Sequence, residues 1–208
     1  MLLIWDFSEN LSLKDMKLLD IDNIVLASGS TRRIELLKDL GIKFSVFTTE
    51  IQETYPEDMN PEEIPLYLAG KKLDFALMHF KGQEKIIIAS DTVVISGNGI
   101  LEKPIDKNDA YEKLAELGGK KHCVITGVCI GDNQKKICFS ERTEVFVEPL
   151  SMEEILYYID NYSVMDKAGA YGIQEWFGLV KISSISGSYT NVMGLPTQKM
   201  WKVLNEFI

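Results

Sequence analysis

Four short stretches carry residue types that could do chemistry together. The first, Ser28-Gly29-Ser30-Thr31-Arg32-Arg33, lies between an apolar run and a helical pattern. Backbone N–H groups at a helix start bind anions, small residues let a phosphate approach, and guanidinium forks match its oxygens. Read alone, it is equally a helix N-cap at Ser30 followed by two solvated arginines. It is not a Walker sequence, because no Gly-Lys-Ser/Thr ending follows. The second stretch, Ser90-Asp91-Thr92, directly follows the apolar run Lys85 to Ala89. An acidic group at the carboxyl end of a buried strand could hold a hard cation or accept a proton from water. The plainer alternative is a turn aspartate bonding its own backbone. Lys103, beside Pro104, follows within a dozen residues. The third, Asp166 to Gln174 (DKAGAYGIQ), combines small residues for tight turns with an amide able to read a base edge. The fourth pairs Glu53 with Lys72, neither of which stands out from solvated surface without the others.

These stretches need elements to hold them. Ile24 to Ala27 reads as a buried strand, and Ile34, Leu36, Leu37 and Leu40 as one face of a helix closed by Gly41. Phe44 to Phe47 suggests the next strand. A longer helix is expected from Glu62 to about Phe80, with Pro65 in its first turn. Lys85 to Ala89 is a strand ending at Ser90-Asp91-Thr92. Val93 to Ile95 then enters a hairpin signal at 96–99. Asn108 to Leu117 is helical and stops at Gly118-Gly119. His122 to Ile130 and Ile137 to Val147 form a hairpin about Asp132-Asn133. Ser151 and Glu154 make a capping box opening a helix to about Ile159. After it, short strands and glycine turns are expected until Pro196, then a last helix. Hairpins mixed with helices imply an α/β fold with a mixed sheet.

Composition narrows the function. The 208 residues carry 22 basic and 31 acidic side chains, a net charge of −9. That field repels a nucleic-acid backbone, yet a local basic pocket can still hold a small phosphorylated molecule. The cysteines are Cys123, Cys129 and Cys138 and the histidines only His79 and His122. This argues against a structural zinc site or a disulfide framework and for buried free thiols in a cytoplasmic setting. No apolar run is long enough for a membrane span, and the first residues lack the basic region of a signal peptide.

Taken in order, the segments 26–44 (LASGSTRRIELLKDLGIKF), 89–94 (ASDTVV), 101–104 (LEKP), 125–128 (ITGV), 166–174 (DKAGAYGIQ) and 187–196 (GSYTNVMGLP) resemble the Maf family. The resemblance makes residues 1–22 an N-terminal extension and 23–208 the family domain. It implies a two-lobed mixed α/β fold with a central cleft, similar to inosine-triphosphate pyrophosphatases, and commonly a homodimer. The implied activity is cleavage of nucleoside triphosphates between the α and β phosphates with Mg²⁺ or Mn²⁺. Asp91 matches the family's catalytic aspartate, Glu53 a carboxylate that helps hold the metal, and Lys72 and Lys103 lysines facing the triphosphate; Lys71 is an alternative to Lys72. Ser28, Arg32 and Arg33 match the phosphate-binding signature. Arg33, Thr92 and Gln174 match the specificity positions of the branch acting on dTTP and UTP. Thr31 stands where proline is usual, and Glu175-Trp176-Phe177 where glycine is common, so Trp176 is a candidate to shape the base pocket. The rival readings are a nucleotide-binding regulator of cell division and an enzyme acting on 7-methyl-GTP.

Overall fold

The computed structural model describes residues 17–97 and 99–208, so most of the expected extension at 1–22 lies outside the described residues. In chain order the elements are β1 (Ile24–Leu26), α1 (Thr31–Asp39), β2 (Phe44–Val46), α2 (Ile64–His79), β3 (Ile86–Ser96), β4 (Gly99–Ile100), α3 (Lys107–Leu117), β5 (Lys121–Gly131), β6 (Lys136–Val147), α4 (Met152–Asn161), α5 (Trp176–Lys181), β7 (Ile182–Ser186), α6 (Tyr189–Val192) and α7 (Thr197–Leu204). One seven-stranded sheet runs β2-β1-β3-β5-β6-β7, with β4 beside β3. The β1–β2 and β1–β3 pairs are parallel and the rest antiparallel, which is the mixed α/β architecture the sequence leads one to expect.

The long strands β3, β5 and β6 belong to two lobes at once. At one end, β1 and the start of β3 are covered on one face by α1 and α7, through Leu26, Leu37, Ile88, Val128 and Met200. Ala69, Leu73 and Ala76 of α2 cover the other face. Leu18, fully buried, belongs to the first of these clusters, so the residues just before β1 already fill the core. At the other end, Val94, Val124 and Val145 pack under α3, α4 and α5 through Leu114, Tyr158 and Phe177. The capping box at Ser151 and Glu154 is formed at the start of α4, satisfying two end groups that would otherwise lack partners.

Three expectations are corrected. Asp91 is not at the end of a strand: β3 continues through it to Ser96. The strand persists because β5 pairs with it from Ile87 to Ile95, beyond the point where β1 stops. The thiols are not all free: Cys129 and Cys138 form a disulfide and Cys123 alone is unpaired. The two sit directly opposite each other in the β5–β6 register, which brings their sulfurs together. The stretch after α4 contains two short helices, α5 and α6, around the single strand β7. Apolar spacing over so few residues does not separate a turn of helix from a strand.

Candidate active site

β1 and β3 part after Leu26 and Ile88. Their last link is the bond from Ala27 N to the Ile88 carbonyl, 2.8 Å. The chain then peels away as Ser28 to Ser30, while β3 runs on without a neighbour on that side until Val94 and Ile95, where Leu101 and β4 join it. A cleft of about 920 Å³ opens along this bare edge. Ser28, Arg32, Arg33, Glu53, Lys72, Asp91, Thr92, Lys103 and Gln174 all line it. Residues scattered over almost 150 positions are thus brought to one place, and none of the nine candidates lies elsewhere.

Alternation along β3 sends Asp91 to the face covered by α2 and Thr92 to the opposite face. On the α2 face, Lys72 places its ammonium 2.6 Å from Asp91 Oδ1 and 2.6 Å from Glu53 Oε1. Lys72 can reach because α2 lies unusually close to the sheet. Gly127, the β5 residue opposite Asp91, has no side chain, and a Cβ there would stand 2.3 Å from Leu66 N. Lys71 faces the other way. Its ammonium bonds the Gln52 and Thr54 carbonyls, at 3.1 and 2.8 Å, and so pins the loop on both sides of Glu53. Of the two lysines, Lys72 therefore meets the carboxylates and Lys71 the loop backbone. Burial alone would raise the Glu53 pKa, but the hydrogen bond and charge of Lys72, with Lys103 and Arg33 further off, bring it below the ordinary carboxylate value.

On the opposite face Arg33 is buried rather than solvated. Its Nε donates to the Gly194 carbonyl (2.8 Å), one terminal nitrogen to Ser28 Oγ (3.1 Å) and the other to Thr92 Oγ1 (2.9 Å). Burial lowers its pKa, the Asp91 charge opposing that shift. Arg33 therefore ties the Ser28 loop, β3 and the 187–196 segment into one wall. Arg32 crosses the cleft to Asp166, 2.6 Å from Oδ2 and 3.4 Å from the backbone carbonyl. Lys103 is exposed and forms no ion pair among the described residues. Gln174 Oε1 is buried without a partner, an acceptor in want of a donor.

The far wall holds groups that residue patterns did not single out. Lys167, only 4% exposed, contacts the Ser163 carbonyl, Asp166 Oδ1 (3.3 Å) and Glu175 Oε1 (3.0 Å). The Tyr158 hydroxyl donates to Glu175 and accepts from Gly172 N at 2.9 Å, holding the turn that presents Gln174. Glu175 lines the cleft and Trp176 does not; the indole stacks on Tyr158 and meets Tyr157 edge to face instead. Among the described residues, five cationic and six carboxylate side chains line the space.

Chemically, the arrangement offers cationic groups and N–H donors for phosphate, two carboxylates sharing one ammonium, and, among the described residues, an unfilled acceptor at Gln174. The Maf-like protein family model matches residues 23–207. A dTTP/UTP pyrophosphatase of Bacteroides fragilis (strain YCH46) is 47% identical over 189 residues, covering 90% of this chain and 97% of that relative. A dTTP/UTP pyrophosphatase of Phocaeicola vulgatus is 48% identical over 184 residues, covering 88% and 95%. Among solved structures, the Staphylococcus aureus Ham1 protein matches with 16% identity and a TM-score of 0.44, over 60% of this chain and 71% of its own. Matched along nearly its whole described length by the family model and by relatives of almost half identity, the chain belongs to the Maf family.

Proposed function

We propose that this protein hydrolyses the pyrimidine nucleoside triphosphates dTTP and UTP to the monophosphate and pyrophosphate. The observation that carries the reading is Lys72 joined to both Glu53 and Asp91 in the same cleft as Arg32, Lys103 and Gln174. Relatives named dTTP/UTP pyrophosphatase, alike over nearly all of their length, support the substrate class.

A lysine ammonium has three donors. Two of those of Lys72 meet Glu53 and Asp91, leaving one for a phosphate oxygen. Lys103 and Arg32 offset the charge that builds on the departing pyrophosphate. For Arg32 this means exchanging Asp166 for phosphate. Ser28 Oγ accepts from Arg33, so its own proton is free to donate to phosphate. The Asp91 carboxylate accepts the proton of a water aligned with the α-phosphorus. In the same cleft, the Gln174 amide offers an acceptor and a donor to the edge of the base.

A divalent cation fits this donor set. Glu53 and Asp91 are hard oxygen donors that each bind the Lys72 ammonium through one oxygen, which leaves the other for a cation, and the described residues contain no cluster of three His, Cys, Asp or Glu side chains that would cage an ion. That suits Mg²⁺ or Mn²⁺, which keep waters and share phosphate oxygens with one or two carboxylates. The slight excess of carboxylates over cations in the cleft points the same way, because a triphosphate then needs a companion cation. Held by Glu53 and Asp91, such an ion would polarise the phosphoryl oxygens and acidify a bound water.

The family resemblance extends the reading to a homodimer. Exposed apolar side chains on α4 and α5, including Met152, Leu156 and Leu179, offer area for contact with a second copy. No helix among the described residues is long and apolar enough to cross a membrane. The test is a panel of nucleoside triphosphates with Mg²⁺, assaying pyrophosphate and orthophosphate separately. Pyrophosphate from UTP and dTTP is expected; orthophosphate with a diphosphate product would overturn the reading.

A further inference from the structure

Between the cleft and the 187–196 segment runs a chain of hydroxyls whose hydrogens can be assigned. Arg33 donates to Thr92 Oγ1 at 2.9 Å, and an arginine only donates. Thr92 Oγ1 and Thr126 Oγ1 lie 2.9 Å apart, so one hydrogen sits between them. Thr126 Oγ1 also lies 3.1 Å from the Asn191 carbonyl, which only accepts. Thr126 has a single hydrogen, and the carbonyl takes it. The hydrogen between the threonines is therefore Thr92's. Only this order satisfies all three contacts, and the opposite order sets two bare oxygens against each other.

The end of the chain is fixed. Asn191 and Thr126 are fully buried, and the Asn191 amide donates to the Val124 carbonyl (3.1 Å) and Thr143 Oγ1 (2.9 Å). The Asn191 carbonyl cannot swing away without breaking both. Thr92, which lines the cleft, is left with one free lone pair and no free hydrogen.

The geometry points to Thr126, which does not line the cleft, as a positioning residue that holds Thr92 as an acceptor toward the nucleotide. The substrate atom meeting Thr92 must then carry a hydrogen. UTP and dTTP share two such groups on the nucleoside, the imide N–H of the base and the 3′-hydroxyl of the sugar. Cytosine has a lone pair where uracil has its N–H, and a 3′-O-methyl group caps the sugar donor. This inference rests on the proposed substrate class and adds a reason for its selectivity.

Thr126→Val keeps the shape and removes the hydroxyl, so Thr92 regains the freedom to donate. Two ratios of kcat/KM test this, UTP over CTP and UTP over 3′-O-methyl-UTP, each measured on one preparation so that the fraction of folded enzyme cancels. In Thr126→Val one of them is expected to fall about fivefold to tenfold, the yield of one hydrogen bond; which one falls identifies the donor. Thr126→Ser should restore the wild-type ratio. Unchanged ratios in Thr126→Val, wild-type ratios near one, or an equal fall in Thr126→Ser would each overturn the assignment. A substrate-free measurement separates it from the substrate reading. By NMR, the Thr92 hydroxyl proton should exchange slowly in the wild type and fast in Thr126→Val. Fast exchange in the wild type overturns the hydrogen order, whereas a wild type that releases no pyrophosphate from UTP overturns the substrate reading and leaves this proton to decide.

Discussion

Lys72 is a buried cation shared by two carboxylates, and each of the three depends on the other two. Replacing it with methionine leaves Asp91, nine-tenths buried, beside Glu53 without the ammonium that pairs with both. Removing one partner of a buried ion pair is strongly destabilising, although the half-exposed Glu53 softens the effect here. Lys72→Met is expected to lower kcat/KM for UTP at least about a hundredfold and to lower the melting temperature. Lys71→Met, which removes contacts to the 52–54 loop and not to Asp91 or Glu53, should lose less than about tenfold. Comparable losses in the two variants would show that Lys72 has no special place. His122 yields a pH prediction. It is 2% exposed, its Nε2 lies 2.7 Å from the Tyr171 hydroxyl, and burial lowers its pKa to about 4. The folded state holds the neutral ring while the unfolded chain takes up a proton below about pH 6.5. Stability from this group is therefore complete above pH 6.5 and is lost as pH falls toward 4, by roughly 3 kcal/mol in all. Chemical denaturation from pH 7 to 4 should show that slope, and His122→Gln should flatten it; equal slopes would rule the ring out as its source.

At the level of elements, the site depends on how closely α2 approaches β5. Gly127 permits that approach, since any side chain there would meet the backbone of Pro65 and Leu66. Gly127→Ala is expected to destabilise the fold by about 1–3 kcal/mol through overpacking. It should also lower kcat, by moving Lys72 away from Asp91. A variant of wild-type stability and turnover would show that the contact is dispensable. The sequence made the helices legible where apolar spacing and end signals agreed, as at α1, α3 and the capped α4. It misplaced Asp91 because Ser90-Asp91-Thr92 looks like a turn, whereas pairing with β5 keeps those residues extended. Tertiary pairing overrides local preference in strands. The cysteine pair was hidden for the same reason, since only the β5–β6 register brings Cys129 opposite Cys138. Seven of the nine site candidates were legible through ordered motifs, and Glu53 and Lys72 only through the resemblance those motifs carry. Thr126, Asn191, Lys167 and Glu175 were not, because their relevance lies in which oxygen faces which nitrogen. Gly127 was the one available hint, a glycine inside an apolar strand that signals close backbone approach.

For the whole molecule, the decisive feature is that two lobes share long strands while their walls face each other across one cleft. Arg32 and Asp166, joined over the gap, lie 134 positions apart in the chain. Among the described residues the cleft lining has no excess of positive charge, so a triphosphate without a metal ion meets as much repulsion as attraction. Chelation should accordingly suppress pyrophosphate release at least about a hundredfold, and added Mg²⁺ or Mn²⁺ should restore it. Full activity in excess chelator would remove the cation from the account. The most direct measurement compares pyrophosphate release from UTP by the wild-type protein and by Asp91→Asn, with nucleotide binding followed in both. The account predicts a fall in kcat of about a hundredfold to ten-thousandfold, with the nucleotide still bound and pyrophosphate the wild-type product. Near-normal turnover by Asp91→Asn would contradict it.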